Sequence, residues 1–385
     1  MTRTRRALVV GFIAKSPVSG MAHYNLHYIR GLKELGYDIH YVERLNVPDE
    51  CYDPSTNTFG DDVTYGLRWL MHCMDRFPTV ACPWTVIDRN GTHLGAGPDI
   101  LHAAIERADF VLTLADPTWF DELERCPRRL FVDGDPLFTQ AAMLDVESPT
   151  SRALAQYPEL ATYWTRQSAS DTTVPAADRR WISTTPVVAT SLWTVEPPQP
   201  DAALTTVMNW GAWGDVEVGG QLYGHKSREF ERFVNIPTMT SRRFRLAVGG
   251  PAPKARLLEA GWDLANPLDV TGTFEAYRIF IRDSFADLGI CKHAYVASKS
   301  GWFSDRSLCY LASGRPVLHQ DTGFTDWLDV SLGVLPFADP DSLLAAIERL
   351  AGDYTAHSKA AREVAETHFE ARTVIGRMLD DAGFR

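Results

Sequence analysis

Ser300-Gly301-Trp302-Phe303-Ser304-Asp305-Arg306-Ser307-Leu308-Cys309-Tyr310-Leu311-Ala312-Ser313-Gly314-Arg315-Pro316-Val317 is the stretch whose reading decides the fold. It parses as a small-residue loop, a helix over Asp305–Ala312, a glycine stop at Gly314 and a strand led by Pro316. With Ala294–Ala297 read as the strand before the loop, the stretch is a β-α-β unit of a parallel sheet. Ser304 is a suitable N-cap. A helix start whose free N–H groups follow Ser300 and Gly301 suits a phosphate. Lys299 and Arg306 add charge, and Asp305 can accept hydrogen bonds from ribose hydroxyls. An ordinary capped turn explains the same residues, since an Asp in the first turn is favoured by the helix dipole alone.

The alternation extends in both directions. On the N-terminal side the pattern predicts strands at Ala7–Ile13, Asp38–Val42, Phe110–Leu114, Leu130–Val132 and Pro186–Ala189. Helices are predicted at Ala22–Leu35, Asp99–Arg107 and Pro117–Glu124, with residues 44–97 and 145–180 as polar insertions. Thr194-Val195-Glu196-Pro197-Pro198-Gln199-Pro200-Asp201 is a proline-rich linker. Beyond it come strands at Leu204–Asn209, Phe244–Val248 and Pro316–His319. Helices follow at Ser227–Asn235, Phe274–Leu288 and Asp341–Ala351, with a last helical stretch from Ala356 to Ala382. Two α/β domains joined mid-chain imply a cleft between the carboxyl ends of their strands.

Composition limits what such a cleft can hold. The 385 residues are 45% hydrophobic and 23% charged, an ordinary globular balance. With 38 Lys and Arg against 49 Asp and Glu, the net charge is −11. No field of this sign gathers nucleic acid or an anionic membrane, so a phosphate must be held locally. The six cysteines are scattered without a CxxC pair, the usage of reduced thiols in a cytoplasm. The apolar run Ala7–Ala14 is too short to span a membrane.

Three further stretches carry chemistry. Asn209-Trp210-Gly211-Ala212-Trp213-Gly214, with Tyr223-Gly224-His225-Lys226-Ser227, brings small residues and a lysine to the end of a strand. Gly211 permits close approach of a ligand, Lys226 is a point charge at a helix start, and the tryptophans serve either stacking or the core. The loop Lys15–Tyr24 contains one histidine, His23. His23 is near neutral in intrinsic pKa, and Asp116 or Asp133 is available to orient it. Phe131-Val132-Asp133-Gly134-Asp135-Pro136 places two carboxylates at a strand end, for a metal, for an acceptor, or as a capping turn. The histidines share no metal-ligand spacing.

The segment from Ser300 through Ala-Ser-Gly-Arg-Pro-Val resembles the donor-binding element of GT-B glycosyltransferases, in particular the C-terminal domain of the bacterial group 1 type. The resemblance continues through His319-Gln320-Asp321-Thr322-Gly323-Phe324 and Gly333–Phe337. It implies two Rossmann-like domains facing across a cleft. Residues 1–198 would bind the acceptor and 199–360 a nucleotide-diphosphate sugar, with 361–385 crossing back to the first domain. It implies a metal-independent hexosyl transfer to a small-molecule or glycan acceptor, with no cofactor besides the donor. The donor would be held by Gly211, Lys226, Lys299, Ser300, Gly301, Ser304, Asp305, Arg306, Asp321, Thr322 and Gly323. It places a catalytic base or a phosphate-proximal loop at His23. The sequence departs from the family at the Glu-x7-Glu pair, whose positions are Gly301 and Cys309. Inversion and retention stay open, as does a dimer through the insertions. A silent sugar-nucleotide binder or a nucleotide-sugar epimerase is the alternative. A dinucleotide dehydrogenase is disfavoured, since no GxGxxG follows the first strand.

Overall fold

The computed structural model describes residues 4–197, 199–211, 214–329 and 331–385. Pro198 of the linker, and Ala212 and Trp213 of the tryptophan stretch, lie outside the described residues. Two parallel sheets organise the chain. The first has the strand order Ile182–Ser183, Glu159–Thr162, Arg129–Asp133, Phe110–Leu114, Arg5–Val10, Tyr37–Arg44, Trp84–Ile87, His93–Gly95. Only the last of these runs antiparallel to its neighbour. The second has the order Asp263–Ala265, Phe244–Gly249, Ala203–Asn209, Ser284–Gly289, Val317–Gln320, Val334–Phe337, all parallel. In both sheets the first strand of its half lies centrally and the strand order reverses beside it, which opens a crevice at the carboxyl edge.

The continuous apolar run at the start explains why both faces of the first sheet are covered. Ala7 and Val9 pack with Leu26 and Ile29 of the helix Ser19–Glu34. Leu8 and Val10 point the other way, to Leu101 and Ile105 of the helix Pro98–Arg107. Period-2 alternation within an all-apolar strand thus feeds two separate cores.

Several predicted elements change identity. Ala294–Ala297 is not a strand but most of a short helix, His293–Ala297. The strand that precedes the deciding loop is Ser284–Gly289, within the stretch expected to be the end of a helix; the helix Phe274–Arg282 stops before it. Ser284–Gly289 is wholly buried at the sheet centre, and Asp287 at its middle disguised it as an amphipathic helix turn. Pro186–Ala189 joins no sheet and makes one bridge, Val188 with Glu370. Pro117–Glu124 yields only the 3-10 turn Asp121–Arg125. The expected helix at Ser227–Asn235 is Lys226–Phe230 followed by a 3-10 turn. Residues 44–97 and 145–180 are not mere insertions, because the first contributes Trp84–Ile87 and His93–Gly95, and the second Glu159–Thr162, to the first sheet.

The C-terminal stretch is two helices, Tyr354–His368 and Ala371–Asp381. They part where Val188 donates to the Phe369 carbonyl and accepts from the Ala371 N–H, both at 2.9 Å. This bridge returns the last helix to the first half. There Ala371 and Ile375 pack on Gly31, whose missing side chain lets the two helices approach. Among the described residues no helix is long and apolar enough to cross a membrane.

Candidate active site

At the carboxyl edge of the second sheet, Lys226 opens the helix Lys226–Phe230 and is partly exposed. Its ammonium makes no hydrogen bond or ion pair with a described residue. Burial, together with the like charges of Arg306 and Lys292, pushes its pKa down to about 7. An ammonium in this state gains most from an anionic partner. Arg306, expected to share that task, is already engaged. Its Nε and one terminal nitrogen donate to the two oxygens of the fully buried Asp287 at 3.1 and 3.2 Å, and its other terminal nitrogen donates to the Val207 carbonyl. Asp287 also accepts from Ser307 Oγ at 2.6 Å. Arg306 therefore braces the central strands, with its charge balanced there.

The Lys299–Ser304 loop differs from its expected open form. Gly301 donates its N–H to the Thr322 carbonyl at 2.8 Å, Trp302 to Ser300 Oγ at 3.4 Å and Ser304 to His319 Nε2 at 3.2 Å. Ser304 occupies the N-cap position, but its side chain makes no capping bond. Lys299 turns to Asp171, at 2.9 Å. Asp305 lies over the helix start beside Arg306 and Lys226; burial raises its carboxyl above the usual range. Asp321 accepts from the Gly323 N–H at 2.8 Å, and Thr322 Oγ1 donates to the Trp302 carbonyl at 2.5 Å, which ties the two loops together.

A segment of the first half lies across these loops. The N–H groups of Thr165 and Arg166 donate to the Ser300 carbonyl at 3.1 and 3.3 Å, and Thr165 Oγ1 donates to the Gly301 carbonyl at 2.9 Å. Arg166 binds Asp326 at 2.6 Å and Asp171 at 2.8 Å. Gly301 and Gly323 have φ of +78° and +90°. The space a Cβ would take is filled at Gly301 by Thr165 and Arg166, and at Gly323 by Arg166 Cδ at 2.5 Å. Only glycine meets both demands. At the second departure from the Glu-x7-Glu pattern, Cys309 is a buried thiol near Tyr277.

Facing this edge, Asp133 is fully buried and accepts from Thr139 Oγ1 (2.7 Å), Gln140 Nε2 (2.9 Å), Thr162 Oγ1 (2.8 Å) and the Asp135 N–H (3.0 Å). Of the readings open to the Asp133–Asp135 turn, Asp133 takes the structural one. Asp135 reaches across to Lys292 Nζ at 2.6 Å and to the Tyr295 hydroxyl. The Gly134 carbonyl accepts from Trp302 Nε1 at 2.9 Å, and Phe138 stacks on His225 at 5.1 Å. Asp116 pairs with Lys15 at 2.7 Å and accepts from Thr118 Oγ1 at 2.9 Å; Lys15 also pairs with Glu50 at 2.6 Å.

His23 lies apart from both carboxylates, so the arrangement in which Asp116 or Asp133 orients it does not form. Its Nδ1 meets the Ser19 carbonyl at 2.8 Å, and its Nε2 is buried without a hydrogen-bond partner among the described residues. Phe77, Trp193, Phe274, Tyr277 and His27 surround it at 4.7–6.0 Å. Burial, aided by Arg278, lowers its pKa to about 3. The helix Ser19–Glu34 starts early enough to turn position 23 inward, against the seam between the halves.

The sequence reading missed Asp287 and Lys292. Both depend on Ser284–Gly289 being a strand, whereas the period of that segment predicts the end of a helix. Among the described residues no group of three or more His, Cys, Asp or Glu is arranged to hold a metal.

No protein-family model matches the chain, and no curated protein matches it in sequence. Solved structures do match. An alpha-glucosyltransferase in complex with UDP and a 13-mer DNA aligns over 100% of both chains at 8% identity, with a TM-score of 0.59. Anabaena HepE in complex with UDP and glucose aligns over 98% of this chain and 99% of its own at 9% identity, TM-score 0.52. A glycosyltransferase from Rickettsia africae aligns over 99% and 98% at 8% identity, TM-score 0.52. At these identities the likeness is one of fold, and that fold is GT-B: two Rossmann-like sheets with opposed carboxyl edges and the last helix returned to the first half.

Proposed function

We propose that the chain is a glycosyltransferase that moves a hexosyl group from a uridine-diphosphate sugar to a small-molecule or glycan hydroxyl. Residues 199–360 would hold the donor and 1–198 the acceptor, without a metal. The observation that carries this reading is Lys226, a partly buried ammonium that makes no ion pair with a described residue, at the reversal point of the second sheet. Charge developing on the departing diphosphate is stabilised by a cation already in place. That two fold relatives were solved with UDP supports uridine as the base. The net charge of −11 disfavours a DNA acceptor.

In the transfer the acceptor oxygen bonds to the anomeric carbon. The bond from that carbon to the diphosphate oxygen breaks with its electron pair, and the acceptor proton passes to a base. The test is release of nucleoside diphosphate, with and without EDTA, from UDP-glucose, UDP-galactose, GDP-mannose and dTDP-glucose. EDTA-insensitive release from a UDP-sugar is expected, with product anomer read by NMR. Release from none of the four contradicts the proposal.

A further inference from the structure

We propose that Asp135 and Lys292 form a catch across the cleft which the donor's diphosphate opens: Lys292 moves to the phosphate, and the freed Asp135 carboxylate takes the acceptor proton. This rests on the sugar-transfer reading and assigns it a base that the sequence did not indicate.

Three cations gather at this edge, and their partners differ in kind. Arg306 is paired within its own half, to Asp287. Lys226 has no partner among the described residues. Among the described residues Lys292 is ion-paired only with a carboxylate of the opposite half, Asp135, at 2.6 Å. Lys292 lies close enough to Lys226 to disfavour the charge of Lys226. A diphosphate seated at Lys226 carries more negative charge than one carboxylate and competes directly for Lys292.

The first half holds Asp135 ready. Its N–H is fixed on Asp133 Oδ1, and Asp133 is itself held by three side-chain donors. Both cross-cleft donors use Asp135 Oδ1, and Oδ2 has no partner among the described residues. The side chain is 51% exposed. Burial raises the Asp135 carboxyl, but Lys292 and the Tyr295 hydroxyl outweigh it and hold the group below the usual range. Removing Lys292 from it restores basicity, so the base becomes competent when the donor is in place. His23 has no such access. In the step, the acceptor O–H bond breaks as its oxygen bonds to the anomeric carbon. The proton ends on Asp135 as a neutral carboxylic acid, and the electron pair of the broken glycosidic bond leaves with UDP.

The test is calorimetric titration with UDP, together with UDP release from UDP-glucose, on wild type, Asp135→Asn and Lys292→Gln. Asp135→Asn removes the competitor for Lys292, so it is expected to bind UDP roughly two- to fivefold more tightly than wild type. It is also expected to release UDP at least ~100-fold more slowly. A merely structural bridge would not produce this opposition of signs. Lys292→Gln is expected to bind UDP more weakly. Asp135→Asn that binds UDP no better than wild type, or that turns over within about threefold of it, overturns the catch. Should Asp135→Asn fail to fold, Lys292→Gln with UDP affinity equal to or above wild type overturns it instead. Wild type that neither binds UDP nor releases it fails earlier and removes the transfer reading itself.

Discussion

His23 and Lys226 show how one effect, loss of solvent, gives two residues different uses. Lys226 stays partly exposed beside the like charges of Arg306 and Lys292 and makes no ion pair among the described residues, so its charge is open to a ligand. His23 is sealed among rings from both halves, so its charge is excluded. The folded pKa of His23, about 3, lies below the ordinary histidine value of 6.5. Protonation therefore favours the unfolded chain. The stability tied to a neutral His23 is complete above pH 6.5 and is lost as pH falls from 6.5 towards 3, at about 1.4 kcal/mol per unit. His23→Gln keeps a donor for the Ser19 carbonyl and does not titrate. Urea unfolding at pH 7.5 and 5.0 should show the variant losing about 2 kcal/mol less than wild type on acidification. Equal losses would mean that the seam is wet.

At the scale of elements, the helix Asp305–Ala312 was legible to the residue, because an N-cap position, an apolar face and a glycine stop coincide there. The strand before it was not, since Ser-Phe-Ala-Asp-Leu-Gly fits a helical period and Asp287 is a polar residue at a sheet centre. What Asp287 answers to, Arg306, comes from the next helix, and pairings between elements leave no mark on local periodicity. The segment over Gly301 and Gly323 was invisible for the same reason: its donors lie some 130 residues earlier in the chain. Arg166→Ala removes two ion pairs and a side chain packed against both glycine sites. Amide exchange within Ser298–Gly301 should accelerate by roughly five- to thirtyfold, the equivalent of two part-exposed pairs. Exchange unchanged from wild type would show that the backbone bonds to Ser300 suffice to hold the halves together.

For the molecule as a whole, two α/β halves with a cleft followed from alternation and a mid-chain linker, the resemblance at Ser300–Val317 implied the GT-B plan, and the two sheets bear it out. The contacts from Asp135, Thr165 and Arg166 across the cleft could not be read from either half alone. With a net charge of −11, the chain would attract the proposed nucleotide sugar only through its local cations. Because free Lys226 titrates near 7, binding of a diphosphate above that pH must take up a proton, and affinity falls as pH rises. Calorimetric titration with UDP at pH 7.0 and 8.5, on wild type and Lys226→Met, tests this most directly. Wild type should bind roughly tenfold more tightly at pH 7.0 than at 8.5. Lys226→Met should bind at least about tenfold more weakly at pH 7.0, with the pH dependence gone. UDP affinity that is the same in both proteins, or absent from wild type, would contradict the donor site at Lys226.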